Sequence, residues 1–179
     1  TAAGKGGTET ATVSIVFSGE NDPPVAQDDA FTTDEDPQLA GDVLADNGNG
    51  VDSDLDGDTL TVLSHDVTSA QGGTVQVNVD GTFTYDPAAD FNGTDSFDYT
   101  IGDGNGGTDT ATVTIDVVPA NDPPVAQDDA FTTDEDMQVT GNVLDDNGNG
   151  TDSDTDGDTL TVTTTGLLAT AQGGTAQMD

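Results

Sequence analysis

The 179 residues contain no cysteine, no tryptophan and no arginine, a single lysine (Lys5) and a single histidine (His65). Without cysteine there are no disulfide staples and no thiolate metal sites. Without a basic surface there is nothing to hold nucleic acid or an anionic membrane, since both bind through positive charge. No apolar run approaches the ~20 residues of a membrane span. No signal-peptide pattern stands at Thr1, so targeting information is expected to lie outside this stretch. A nucleophile activated by histidine would have to use His65, whose partner position in the next repeat, Thr165, holds no histidine. His65 is therefore read as a surface or strand-end residue. Paired aspartates could act as a glycosidase acid and base, but identical clusters in successive units suit a structural task, and no enzyme is expected.

What the chain does hold is acid: 36 Asp and Glu, a formal net charge of −35, and only 31% hydrophobic residues. So little apolar surface barely offsets the entropy of ordering a chain. Self-repulsion adds to the difficulty, which makes multivalent cations the natural counter-charge.

The sequence also repeats itself. "NDPPVAQDDAFTTDED" stands at 21–36 and, unchanged, at 121–136. From 21 to 62 only positions 37, 39, 40, 42, 45, 51 and 55 differ from their partners 100 residues on. The segment 4–15 matches 104–115 in the same way. The expected organisation is the C-terminal strand of one repeat (1–20), a complete repeat (21–120), and the N-terminal part of a third (121–179). Inside the unit the patterns are those of strands and turns. Ala111, Val113, Ile115 and Val117 alternate with polar residues, and Phe97, Tyr99 and Ile101 do likewise. "TVQVNVDGTFTYDP" reads as a hairpin that buries Val75, Val77 and Val79 and turns at Asp80-Gly81. Seven strands are expected, near 25–33, 37–44, 59–67, 73–79, 82–86, 95–102 and 108–118. That makes the fold all-β: tandem seven-stranded immunoglobulin-like Greek-key β-sandwiches.

If successive strands run up and down, the acids sort by pole. Asp52, Asp54, Asp56, Asp58 and Asp103 fall at the N-terminal pole. Asp34, Glu35 and Asp36 fall at the C-terminal pole, with Asp86 and Asp90 as further candidates. The third unit repeats the set as Asp134, Glu135, Asp136, Asp152, Asp154, Asp156 and Asp158, and the linkers add Asp22, Asn121 and Asp122. Acids from two neighbouring units thus converge at each junction. Unpaired, they would repel and raise one another's pKa. A hard divalent cation removes that cost, and Ca²⁺ accepts six to eight oxygens in flexible geometry. The D-x-D-x-D-G spacing resembles half of an EF-hand loop, with Gly57 at its turn. The resemblance ends where that loop needs a bidentate Glu, because Leu63 and Thr163 stand there. The acids of these loops and linkers together with Asn121, apart from Asp86 and Asp90, are the candidate calcium ligands.

"NDPPVAQDDAFTTDED", "DGDTLTV" and "DGTFTYDPAADFNGTDSFDYTIGDGNGGTDTATVTI", in a unit of about 100 residues, resemble the cadherin-like, VCBS-type tandem repeats of large bacterial surface adhesins. The resemblance implies a secreted, extracellular stalk stiffened by Ca²⁺ at its linkers and working in adhesion and biofilm formation. By similarity to cadherins, Glu35, linker Asp122, Asp154 and Asp156 take ligand roles. The longer insert "DNGNGVDSD" departs from the family form "NDSDPDGD" in that loop. The expected partners are neighbouring repeats of the same chain. Two other readings stay open, homotypic adhesion between stalks and binding of glycans on other cells. Exchange of the strand at 10–18 into another chain's sandwich is a third possibility.

Overall fold

The computed structural model describes residues 6, 10–15, 19–164, 166–170 and 175–178. Among them every regular element is a strand, and no helix is long and apolar enough to cross a membrane. The complete repeat carries β1 (Asp29–Asp34), β2 (Leu39–Asp42), β3 (Thr61–His65), β4 (Thr74–Val77), β5 (Thr82–Asp86), β6 (Gly93–Gly102) and β7 (Thr108–Val118). A further hairpin, β8 (Gly166–Ala169) and β9 (Thr175–Met178), lies in the third unit.

Two sheets face each other. One has the order β1-β7-β6-β3 and the other β2-β5-β4. The first strand lies parallel to the last, with Asp29 opposite Val113 and Asp34 opposite Val118, and all other pairings in the repeat are antiparallel. This is the expected all-β sandwich, with seven strands close to the spans read from the pattern.

Period-two alternation builds the core. On β7, Ala111, Val113, Ile115 and Val117 are buried, while Thr114 and Asp116 face out. On β6, Phe97, Tyr99 and Ile101 are buried. Phe83 sits between Phe31 and Phe97 in edge-to-face contacts, with centroids 5.0 and 5.6 Å apart. This is the preferred geometry for aromatic rings. His65 ends β3 and accepts the Val77 amide at Nε2, a strand-end position as expected.

Two expectations change. Alternation places Val79 in the buried row of the β4–β5 hairpin, yet it is 66% exposed. Asn78 N donates to Thr82 O and Gly81 N to Asn78 O, so the loop is the three residues Val79, Asp80 and Gly81. Gly81 has φ +91, the left-handed residue such a loop requires. The added loop residue takes Val79 out of the ladder and sets it at the tip. Secondly, residues 10–15 form no strand, and Val13 and Ile15 are 81% and 70% exposed. Positions 16–18 of the strand expected there lie outside the described residues.

The third unit keeps the local ties of the second. Val125 bridges Ser153 as Val25 bridges Ser53, and Asn147 reaches Asp129 as Asn47 reaches Asp29. Residues 129–134 are not a strand. In the complete repeat the corresponding segment, β1, pairs with β7.

Candidate metal centre

The acidic loop folds by its own side chains. Asp54 Oδ1 accepts the amides of Asp56 and Asp58 at 2.8 and 3.2 Å, and the chain reverses through Gly57 at φ +78. Asp154 repeats this with Asp156 and Asp158, both at 3.1 Å. Side-chain-to-amide bonds of this kind are what make Asp a turn former. The linker is then fastened to the loop. Asp22 N donates to Asp56 Oδ2 at 2.8 Å, and Asp122 N donates to Asp156 Oδ2 at 2.6 Å.

Glu35 comes from the preceding sandwich. Its amide continues the β1–β7 ladder by donating to Val118 O. Its carboxylate, on a residue only 5% exposed, accepts Ala120 N at 2.8 Å and Asn92 Nδ2 at 3.4 Å. These anchors bring Glu35, Asp122 and Asp156 together, with one oxygen of each within 4.8 Å of the others. The three come from the end of β1, the linker and the next unit's loop. Asp122 is held above the ordinary carboxylate range by partial desolvation and then by the charges of Asp36, Asp156, Asp90 and Glu35. No lysine or arginine lies among the described residues.

Asp54, Asp56 and Asp58 form a second group within the same 4.8 Å. Asp54 Oδ2 is buried and has no hydrogen-bond partner among the described residues. Such an oxygen is costly unless something positive meets it. An all-oxygen, anionic donor set with an orphaned buried oxygen fits Ca²⁺ or another hard divalent cation.

The remaining candidates lie elsewhere. Asp52 is buried and faces inward, accepting Gln27 N at Oδ1 and the Tyr99 hydroxyl at Oδ2. Asp152 accepts the Gln127 amide. Asp103 is buried against the amides of Asn105, Gly106 and Gly107, and receives Asn21 Nδ2 at 2.8 Å. The Asn21 bond above all, then those amides, hold its carboxyl below the usual range, with burial opposing. Asp103 thus ties the linker to the N-terminal pole. Asp154 and Asp158 keep the loop's amide bonds, but among the described residues only Asp156 of the third unit enters a close acidic group. Asn121 turns its amide onto Asp122 O. Asp22 offers its amide to Asp56, while Asp34 closes β1 outside both groups. Asp36 reaches the junction only through its charge on Asp122. Asp134, Glu135 and Asp136 are exposed. Asn92 and the Ala120 amide are site residues that sequence reasoning misses. Neither carries charge, so an inventory of acids passes over them.

The sequence profile of the family described as Bacterial Ig domain matches residues 21–116 and again 121–179. The chain belongs to this family. Glu35 falls in the first matched segment and Asp122 and Asp156 in the second, so the junction group draws on two family units. The chain is also 34% identical over 146 residues to the calcium-binding lectin RapA2 of Rhizobium johnstonii. That alignment covers 69% of this chain and 62% of the relative, so the chain spans less than two thirds of that protein's length.

Proposed function

We propose that this stretch belongs to an extracellular bacterial surface protein and serves as a calcium-stiffened spacer. Its Ig repeats carry a distal binding region away from the cell for adhesion and biofilm formation. The observation that carries this reading is the group Glu35, Asp122 and Asp156, because it draws carboxylates from both sides of a linker with no basic partner among the described residues. An ion held there stiffens the linker as well as neutralising it. Asp54, Asp56 and Asp58 hold a further ion within one repeat. The bacterial Ig family and the calcium-binding relative support the assignment. The ion's partners are neighbouring repeats of one chain, and no enzymatic step is assigned.

A multi-repeat chain in Ca²⁺ is expected to scatter X-rays at small angles as a rod that lengthens in proportion to repeat number. Each repeat should add roughly 40 Å, from strands at ~3.3 Å per residue plus loops and linker. Chelation should replace that linear growth by the shorter mean extension of a flexible chain. An unchanged slope of length against repeat number would remove the spacer mechanism.

A second reading, calcium-dependent glycan binding, is favoured by the name of the relative. Four aromatic residues of the complete repeat oppose it, because Phe83, Tyr85, Phe97 and Tyr99 are buried and cannot stack on a sugar ring, whereas Phe131 of the third unit is 40% exposed. A glycan array probed with and without Ca²⁺ decides between them, and calcium-dependent retention on any sugar would favour the second.

A further inference from the structure

Asp29, the first residue of β1, is 2% exposed, and its Oδ2 has no hydrogen-bond partner among the described residues. Its Oδ1 accepts Asn47 Nδ2 at 3.1 Å, but that amide nitrogen also serves the carbonyls of Asp42 and Ala45. The Tyr99 hydroxyl, which also interacts with Asp29, faces Gln27 O at 3.1 Å, Val43 O at 3.0 Å and Asp52 Oδ2 at 3.1 Å. A tyrosine hydroxyl has one proton and a side-chain amide has two. Three protons therefore face six acceptor oxygens, of which Asp42 O takes a further amide, that of Ala45 at 3.4 Å, before Asp29 Oδ2 is counted. This interior is short of donors, and a proton on Asp29 supplies one.

We propose that Asp29 is a proton-operated fastener of the repeat's leading edge. Neutral, it donates to the Tyr99 oxygen while the Tyr99 hydroxyl donates to Asp52, and the chain of hydrogen bonds clasps 25–29 and 43–52 against β6. Ionised, it leaves two buried carboxylates competing for one hydroxyl, and the edge loosens.

The surroundings agree. Burial first, then the charges of Asp52 and Asp28, push the Asp29 carboxyl from 3.8 up to about 6, although Asn47 and Tyr99 pull it down. Asp42 of β2 and Asp109 of β7 in turn face Asp52. Among the described residues no lysine or arginine offsets these charges. The folded state therefore binds this proton more tightly than the unfolded chain. The contribution is complete below about pH 4 and is lost as pH rises through about 6. Its sign is opposite to that of cation binding, which needs ionised carboxylates. Asp29 also lies outside both acidic groups.

The test is urea unfolding of the full chain in chelator at pH 5 and pH 7.5, beside Asp29→Asn. Between those pH values the parent's folding constant is expected to fall about 10-fold relative to the variant. Carbon NMR of the Asp29 carboxyl in the parent, which needs no variant, should show a midpoint near 6. Equal pH slopes for parent and variant would overturn the proposal, as would titration of Asp29 along with the exposed aspartates. A signal that moves with added Ca²⁺ at fixed pH would also overturn it, because the pocket would then hold a cation.

Discussion

Removing divalent cations with a chelator is expected to lower the melting temperature by on the order of 10 °C. A site whose free ion stands at 100 times its dissociation constant adds about 2.7 kcal/mol to the folded state. In a domain of about 100 residues, 1 kcal/mol moves the midpoint by roughly 4–8 °C. The shift should be large because the apolar core is small, built mainly from one row of side chains on each of β4 to β7. Asp156→Asn removes one carboxylate from the junction group and hardly alters the charge of −35. It should weaken Ca²⁺ binding by calorimetry and shrink the chelator effect. A chelated protein with an unchanged melting curve would end the calcium reading. Matching calorimetric titrations for parent and variant would count against the ligand assignment alone.

Asp95→Ala is expected to cost about 3–5 kcal/mol, the range for breaking a buried, hydrogen-bonded charge network. Asp95 is 1% exposed. It accepts the Ser69 and Tyr85 hydroxyls at Oδ2 and the amides of Gln71 and Ser96 at Oδ1. Alanine would remove the acceptor these four donors share, leaving the buried Tyr85 hydroxyl without its partner and the Ser69 hydroxyl with only a 3.4 Å bond to Gly73 O. Burial pushes this carboxyl up, yet the bonds from Ser69, Tyr85, Gln71 and Ser96 together outweigh it and hold it below the ordinary range. Its contribution is therefore present above the unfolded value, near 3.9, and is lost as pH falls through the folded one. Asp95→Asn, which keeps the shape but turns an acceptor into a donor, should fall between. A loss under 1 kcal/mol for Asp95→Ala, measured by urea unfolding, would show that the network does not hold the fold.

The strands could be read because their alternation is strict. Ala111 to Val117 and Phe97 to Ile101 mark their faces residue by residue, and strand direction then sorts the loops by pole. The same parity could have found Asp95, since it is in phase with Phe97 and Tyr99, and Asp29, in phase with Phe31. A buried acid in an apolar row is a local conflict that the fold must resolve with donors. Other features carried no such signal. Asp52 shares its two-residue spacing with Asp54, Asp56 and Asp58, but the chain reverses only after Asp54, so Asp52 stays with the inward side. The Val79 tip depends on which of two loop lengths Gly81 serves, and both use a glycine there. The anchoring of Glu35 by Asn92 and by a backbone amide depends on tertiary approach and leaves no trace in charge or period.

The parallel pairing of β1 with β7 has a mechanical consequence. Tension along a tethered chain enters the repeat at the start of β1 and leaves at the end of β7. These two strands lie side by side and point the same way, so the load slides one along the other. The pairs from Asp29–Val113 to Asp34–Val118 then bear the force together, whereas a hairpin pulled from its open end would unzip pair by pair. The Val25–Ser53 bridge and the clip from Asp22 to Asp56 stand ahead of that ladder and yield first. Under tension each repeat gives up a little length at its leading edge while the sandwich behind it stays shut.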